Sequence, residues 1–337
     1  MYLCIMGIVS IIKKSGTPKY KQIVASFEEA ISSGTLKKGD KLPSLNSIKN
    51  KHSLSRDTVL MAFNELKTRG IVQSIAGKGY YVMSENINVE QKIFLLFDEL
   101  NGFKEDLYNS FVANLGFNVQ VDIYFHHFNQ DMFSKLIYDH IGDYSFYVIM
   151  PANLNNVKEV IEKLPNDKVY IIDQTHDELA AYPSIYQNFE KNMFDGLTNV
   201  FYRIKTYRKI ILIFSARKEP QGMLVGFKLF CSQNSFEHEI ISSLKNRIPE
   251  KGEVYVILDD RDLLRIIKDI KQTNLILGKD VGIISYNETL LKEVVEGGIT
   301  TISTNFNLMG ERLAQMIITN EFAQIENPNG LIIRKSV

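Results

Sequence analysis

Sulfur is scarce in this chain. Only two cysteines, Cys4 and Cys231, occur in 337 residues, far apart and without metal-ligand spacing. A disulfide framework or a zinc site is therefore not expected, and a reducing cytoplasm is the compartment that fits. Proline is sparse as well, at 8 residues, and 45% hydrophobic with 23% charged residues is a globular balance without the signature of disorder. No stretch reaches membrane-spanning length. The most apolar segment is the opening MYLCIMGIVSII, which lacks the basic n-region and small-residue cleavage site of a signal peptide. It is read as a leading strand, a disordered tail or an over-long start with Met6 as the true one, in preference to a targeting segment. The length exceeds one ordinary compact domain, so two or three are expected.

Catalytic motifs are missing too. Gly77-Lys78-Gly79 has neither the four-residue spacer nor the following Ser/Thr of a P-loop, and no dinucleotide-type glycine motif follows Ile93–Phe97. No nucleophile elbow or paired catalytic carboxylate emerges. His126 and His127 are adjacent, and on a strand such neighbours point to opposite faces, so they are placed on an exposed loop or strand end rather than on a metal. No enzyme, metal or cofactor is expected.

What is present shows first as charge. The net charge of zero conceals a basic segment: Lys13 to Met83 holds 13 Lys+Arg and 5 Asp+Glu, which leaves 26 Lys+Arg against 34 Asp+Glu elsewhere. A basic head on an acidic body is the distribution expected when only the head meets a polyanion.

The local pattern of the head agrees. Ile23, Phe27, Ala30 and Ile31 recur at helical spacing from about Pro18, and Ser33-Gly34 stops that helix. Ser44 caps a short second helix to about Lys51. After the His52-Ser53-Leu54 turn, Ser55 caps a third whose buried stripe is Val59, Ala62, Phe63 and Leu66. Gly70 ends it. Two β-prone stretches, Ile71–Ile75 and Tyr80–Met83, then flank Ala76-Gly77-Lys78-Gly79. This order predicts a winged helix-turn-helix, with the third helix presenting Arg56, Asp57 and Thr58 to the major groove of double-stranded DNA. Ser44, Ser55 and the N–H groups at their helix starts suit phosphate oxygens, and Lys78 with Gly79 at the wing tip suits the backbone or minor groove.

Residues 18–83 resemble the DNA-binding domain of the gluconate-repressor (GntR) family. The resemblance rests on Gly39-Asp40-Lys41-Leu42-Pro43-Ser44, Leu54-Ser55-Arg56-Asp57-Thr58-Val59 and Gly77-Lys78-Gly79-Tyr80-Tyr81-Val82, with Tyr20, Ile23, Ile31, Gly34, Leu66 and Gly70 in register. It implies contact roles for Ser44, Arg56, Thr58, Lys78 and Gly79. Asn46 stands where the family usually has a basic residue, and Leu60 where an arginine is frequent; Lys49 and Lys51 compensate electrostatically. A head of this type can precede a pyridoxal-phosphate aminotransferase-like body, but that body needs more residues and a lysine in a characteristic setting.

Residues 84–91 are short and polar and are read as a linker between a head at 13–83 and a body at 92–337. In the body, β-type runs at Ile93–Phe97, Val121–Phe125, Phe146–Met150, Val169–Ile172, Ile210–Phe214, Val254–Leu258 and Val281–Ser285 alternate with helical stretches. The fold class is therefore α/β: parallel sheets flanked by helices in two lobes with a cleft between, ligands collecting beyond the carboxyl ends of the strands. This segment resembles the effector domain of the lactose-repressor family and periplasmic sugar-binding proteins. The clearest stretch is Thr300-Thr301-Ile302 through Asn305-Phe306 to Leu308-Met309-Gly310, read as a connection and a last long helix; Gly226-Phe227 is read as a helix start.

The resemblance and the positions together nominate ligand contacts: Asp98 and Phe103 after the first strand, Asp173 and Gln174 after the fourth, Asp260 and Asn287 at strand ends of the second lobe, Asn305 and Phe306 in a crossover, and Asn188, where the resemblance implies a polar ligand contact. The family's arginine three residues before the Gly-Phe pair is Met223 here, with Arg217 and Glu219 nearby. The expectation is a homodimeric, operator-binding regulator controlled by a small molecule, a monosaccharide first. A nucleoside, an amino acid or a sugar phosphate stays open, as does a head that binds protein rather than DNA.

Overall fold

The computed structural model describes residues 7–12, 16–245 and 247–337. The chain begins with the helices α1 (Lys19–Ser32), α2 (Leu45–His52) and α3 (Arg56–Thr68), followed by a hairpin of β1 (Val72–Ile75) and β2 (Gly79–Val82). The apolar spacing of α1 and α3 puts Ile23, Phe27, Val59, Ala62, Phe63 and Leu66 into one core. Phe63 sits at its centre, edge-on to Phe27 at 5.5 Å and to Tyr80 of the wing at 4.6 Å. Ser53 adopts the left-handed conformation (φ 53°) that turns α2 into α3. The winged helix-turn-helix is as the sequence pattern indicates.

The apolar start behaves differently from a leading strand. Residues 1–6 and 13–15 lie outside the described residues, and none of 7–12 is in a strand. Val9 is buried in the head core with Ile8 and Ile11 against it. The backbone N–H groups of Ser10 and Ile12 donate to Ser26 Oγ (3.1 Å) and Gln22 Oε1 (2.8 Å) on α1. Side chains of α1 thus take the hydrogen bonds a neighbouring strand would have supplied.

The body consists of two six-stranded sheets. Its elements begin with β3 (Gln91–Phe97), α4 (Gly102–Asn114), β4 (Val119–Phe125), α5 (Gln130–Asp139), β5 (Phe146–Ile149), α6 (Val157–Ile161), β6 (Val169–Asp173) and β7 (Ser184–Tyr186). The chain continues with α7 (Phe189–Ile204), β8 (Lys209–Ile213), α8 (Gln221–Gln233), β9 (Glu237–Ile241), β10 (Glu253–Ile257), α9 (Asp260–Gln272), β11 (Val281–Tyr286), α10 (Leu290–Val294) and β12 (Thr300–Thr304). It ends with α11 (Phe306–Thr319), β13 (Gln324–Glu326) and β14 (Asn329–Ile332).

The first lobe has strand order β13-β7-β6-β5-β3-β4, all parallel; the second has β14-β12-β11-β10-β8-β9, parallel except for β14 against β12. Helices cover both faces of each sheet, which is why the inner strands β3, β5, β6, β8, β10 and β11 are buried and mostly apolar. On β3, Ile93, Leu95 and Phe97 face α4 and α11, while Phe94 and Leu96 face α5 and α6. On β8, Ile210 and Leu212 face α7 and α8, while Ile211 and Ile213 face α9. No helix among the described residues is long and apolar enough to cross a membrane.

Four local expectations are corrected. Gln91 is the first residue of β3, paired with Val119, rather than linker. Thr300–Thr304 is a strand, because its threonines pair with β11 and β14 in the sheet. His126 is not exposed: it is fully buried just past β4, with Nε2 hydrogen-bonded to the Met150 carbonyl at 3.0 Å, and only His127 faces solvent. Gly226-Phe227 lies in the middle of α8 instead of at its start. Gly226 is where α8 crosses α7, and a Cβ there would overlap the carbonyl oxygen of Glu190. Gly226→Ala is therefore expected to destabilise the body by about 1–3 kcal/mol, the cost of overpacking a close contact. Urea unfolding of the two proteins checks it, and unchanged stability would mean that α7 and α8 separate freely.

Candidate functional site

Two surfaces hold the residues nominated above. On the head, Ser44, Asn46, Lys49, Ser55, Arg56, Asp57, Lys78 and Gly79 are all exposed, and Thr58 is half-buried. Ser44 Oγ accepts the N–H of Ser47 at 3.1 Å, and Ser55 Oγ that of Thr58 at the same distance. These caps satisfy one donor per helix, and the remaining first-turn N–H groups keep the positive helix end open to an anion. Arg56 forms no ion pair among the described residues, and Leu60, where relatives carry an arginine, is half-buried. The wing tip turns on two left-handed glycines, Gly77 (φ 69°) and Gly79 (φ 107°), with Lys78 standing out between them.

The second surface is a cavity of about 300 Å³ between the lobes. It lies beyond the carboxyl ends of β3, β6, β10 and β11, where side chains from four strand termini converge. On the first lobe, the buried Asp98 pairs with the buried Lys104 of α4. Phe103 supplies an aromatic face and is stacked from behind by Phe306, with centroids 4.8 Å apart. Asp173 ends β6 in a left-handed conformation (φ 68°), and its Oδ1 accepts from Gln187 Nε2 at 2.6 Å. Burial pushes its carboxyl up to about 6; Lys104 holds the rise back and Asp98 adds to it.

The second lobe answers with a loop and two strand ends. Glu219 is pushed up to about 7 by burial first and by Asp259 next, with Lys218 opposing. Asp259 caps α9, accepting from the N–H groups of Arg261 (2.8 Å) and Asp262 (3.3 Å). Asp260 pairs at 2.9 Å with Lys292, a lysine only 1% exposed that also donates to the carbonyls of Tyr286 (2.8 Å) and Asn287 (2.7 Å). Burial pulls the Lys292 ammonium below its ordinary range, and Asp260 opposes that pull. Tyr286 OH and Asn287 Oδ1 are buried with no hydrogen-bond partner; Asn192 lies beside Tyr286, yet its amide nitrogen is also unpaired.

The loop of residues 215–220 reaches across the cleft mouth. Lys218 pairs with Glu99 of the first lobe at 3.2 Å and lies 5.5 Å from the Phe128 ring centroid. Asn153 links the lobes further, donating to the Glu219 carbonyl (2.7 Å) and accepting from Gln174 (2.7 Å).

Seven of the nominated ligand residues line the cavity: Asp98, Phe103, Asp173, Gln174, Glu219, Asp260 and Asn287. Four do not. Asn188 caps α7 and donates to Glu326 at 3.1 Å, and Asn305 caps α11 by accepting from Leu308 N–H at 2.9 Å. Phe306 is buried behind Phe103, and Arg217 faces solvent while its neighbour Lys218 turns inward. Met223, at the place of the family's arginine, is a buried apolar part of the wall. Lys104, Gln187, Asp259, Arg261 and Tyr286 also line it and had escaped nomination. Each is brought to the cavity by a tertiary contact, and the signal in the sequence was adjacency to a nominated residue: Gln187 to Asn188, Asp259 and Arg261 to Asp260, Tyr286 to Asn287 and Lys104 to Phe103. Among the described residues no group of three or more His, Cys, Asp or Glu side chains is arranged to hold a metal ion.

Comparison with known proteins places these surfaces. Residues 19–82 match the family model described as bacterial regulatory proteins, gntR family. The HTH-type transcriptional repressor YtrA of Bacillus subtilis (strain 168) is 34% identical over 96 residues, 28% of this chain and 73% of that one. The mannosyl-D-glycerate transport/metabolism system repressor MngR of Escherichia coli (strain K12) is 38% identical over 82 residues, 24% of this chain, and only 34% of its own length is spanned. The body has another likeness: a lactose repressor bound to the anti-inducer ONPF superposes with a TM-score of 0.61 at 14% identity, over 73% of this chain and 99% of that one. That identity carries the fold alone. The chain belongs to the GntR family of bacterial regulatory proteins, as a DNA-binding transcription regulator whose body has the lactose-repressor fold.

Proposed function

We propose that this regulator acts as a homodimer on a two-fold DNA operator and that a monosaccharide in the inter-lobe cavity controls its operator affinity. It is a switch rather than an enzyme, divided into a head up to residue 83, a joint at 84–90 and a sensor from Gln91 onward. The observation that carries the reading is the cavity wall. Carboxylates and amides converge there beside the Phe103 face, and Tyr286 OH and Asn287 Oδ1 are left without partners. Buried polar atoms without partners cost about 1–3 kcal/mol each, and the hydroxyls of a sugar relieve that cost while its C–H face covers the ring. The names of relatives agree in kind: one is a repressor of mannosyl-D-glycerate transport and metabolism, and a fold neighbour is a lactose repressor.

Control follows from linkage. A ligand that prefers one arrangement of the lobes changes operator affinity by its differential affinity for the two arrangements. In the head, Arg56 reads a base edge, Ser44, Ser55 and Thr58 hold phosphates with Asn46, Lys49 and Asp57 flanking them, and Lys78 with Gly79 tracks the backbone from the wing.

Two experiments test the two halves. Arg56→Ala is expected to weaken specific operator binding by about 1–3 kcal/mol, and Lys78→Ala to lower the salt slope by about one charge. Fluorescence anisotropy across a salt series reads both, and unchanged affinity and slope would remove these contacts from the scheme. For the cleft, a thermal-shift screen of monosaccharides, nucleosides and sugar phosphates is expected to single out a sugar. At a hundredfold excess over its Kd the ligand adds about 2.7 kcal/mol; a shift with another class alone would replace the sugar by that class.

A further inference from the structure

The cavity is more acidic than a neutral sugar requires. Six carboxylates line it against three cations. Asp98, Glu99 and Asp260 are each paired with a lysine, and Asp259 is occupied in capping α9. Two further carboxylates have no cation partner, while Arg261, the third cation on the wall, forms no ion pair among the described residues. Asp173, on the first lobe, uses one oxygen to accept from Gln187, and Glu219, on the second, has its backbone N–H on the Ser215 carbonyl and its own carbonyl on Asn153, with no hydrogen-bond or ion-pair partner for its carboxylate among the described residues. Lys104 and Lys218 on the same walls are already committed to Asp98 and Glu99. A second, independent feature points to a ligand: Tyr286, only 1% exposed, lines the same cavity, and its buried hydroxyl beside Asn192 has no hydrogen-bond partner. Asn287 Oδ1 adds an acceptor that lacks a donor. The unfilled positions are therefore mostly acceptors, and an ammonium group brings three N–H donors and no acceptor.

We propose that the effector carries a protonated amine, an amino sugar within the sugar class, whose ammonium is held by Glu219 with Asp173 on the facing lobe. The inference rests on the sugar-sensor reading and adds the group that decides between sugars. A cation between carboxylates of opposite lobes also draws the lobes together, which is what a controlling ligand has to do.

The electrostatics of the empty cleft agree. Burial, Asp259 and Glu99 push Glu219 up to about 7 against Lys218 and Lys104, while burial and Asp98 push Asp173 up to about 6 against Lys104 and the Gln187 amide. Both carboxylates are disfavoured as ions until a cation arrives. The sign follows: at pH below its raised pKa, Glu219 carries a proton and must lose it to pair with the ammonium. Affinity for an amine then rises with pH through about 6–7, by up to about tenfold per unit on the acid side for one released proton. A neutral sugar makes no such demand.

Calorimetric titration of the full chain with 2-amino-2-deoxyhexoses, their parent hexoses, their N-acetyl derivatives and simple non-sugar amines, at pH 5.5, 6.5 and 7.5, tests this. One amino sugar is expected to bind at least tenfold tighter than its parent and its N-acetyl form at pH 7.5, with the gap narrowing towards pH 5.5. In Glu219→Gln, whose ligand-free melting temperature reports intact folding, the gap should vanish, and Asp173→Asn should reduce it. A parent hexose that binds as tightly as its amine at pH 7.5, or a gap untouched by Glu219→Gln, overturns the amine and leaves the sugar reading standing. A non-sugar amine that binds when no sugar does supports the cation site and overturns the sugar. Silence from every compound overturns both.

Discussion

The molecule's two-lobed body depends on how three chain crossings are tied together. The crossings lie at residues 187–188, at Asn305 and at residues 327–328, between elements of opposite lobes. Gln187 sits at their centre, donating to Asp173 at the end of β6 and accepting from Thr304 Oγ1 at the end of β12, both at 2.6 Å. Asn327 binds the other two crossings, with its N–H on the Tyr186 carbonyl (2.7 Å) and its side chain on the Asn305 carbonyl (3.0 Å). Single strands crossing between bodies are soft, but three held side by side by buried hydrogen bonds restrict the lobes to a hinge. Because Gln187 and Asp173 also line the cavity, the residues that define the hinge are in a position to feel a ligand. Asn188 and Asn305 have positioning parts in the same device, as caps of the helices that start on either side.

The head is attached to one lobe, so a hinge motion has something to act on. Arg69, at the end of α3, donates to the carbonyls of Ile87 (3.0 Å) and Val89 (2.7 Å) and pairs with Glu28 of α1. The joint is thus strapped to the head rather than trailing from it. Beside it, Lys67 of α3 pairs with Asp143 of the first lobe at 2.7 Å, and Gly70 packs on the Lys92 side chain. Lys92 pairs in turn with Asp122, which accepts from Tyr144 OH at 2.7 Å. These are contiguous physical contacts between head and first lobe. On the regulator reading, the coupling they provide is that of orientation: in a dimer, any change in the angle between lobes alters the spacing of two heads fixed to the first lobes.

What was legible in the sequence divides along the range of the forces involved. The head was readable almost residue by residue, since its helices are set by local caps and a 3.6-residue apolar period. Six of the seven apolar runs of the body are strands buried on both faces, and the seventh, in β4, is a half-buried edge. Strands without such an apolar run left no mark: β7, β13 and β14 are short, β12 is mostly threonine, and β9 (Glu237–Ile241) is a half-exposed edge. In the cleft, Asp98, Asp173, Asp260 and Asn287 were legible because strand ends are. Lys104, Gln187 and Tyr286 were hidden, because what brings each into the wall is a tertiary contact. Arg217 was chosen over Lys218 because a loop has no period by which to tell which side chain turns inward.

The charge partition raises a last question, whether a basic head strapped to an acidic body is free to read DNA. The tie that uses opposite charge directly is Lys67–Asp143, with both side chains partly exposed, so it contributes on the order of 1 kcal/mol or less. Its place matters more than its strength. Lys67 and Arg56 stand eleven residues apart on α3, which at 1.5 Å per residue is about 16 Å along the helix axis. The Debye length at physiological salt is about 8 Å. The body's attraction for the C-terminal end of α3 is therefore largely screened at its N-terminal end, where Arg56 and the Ser55 cap face outward. The same helix can be held by the body at one end and offered to a polyanion at the other.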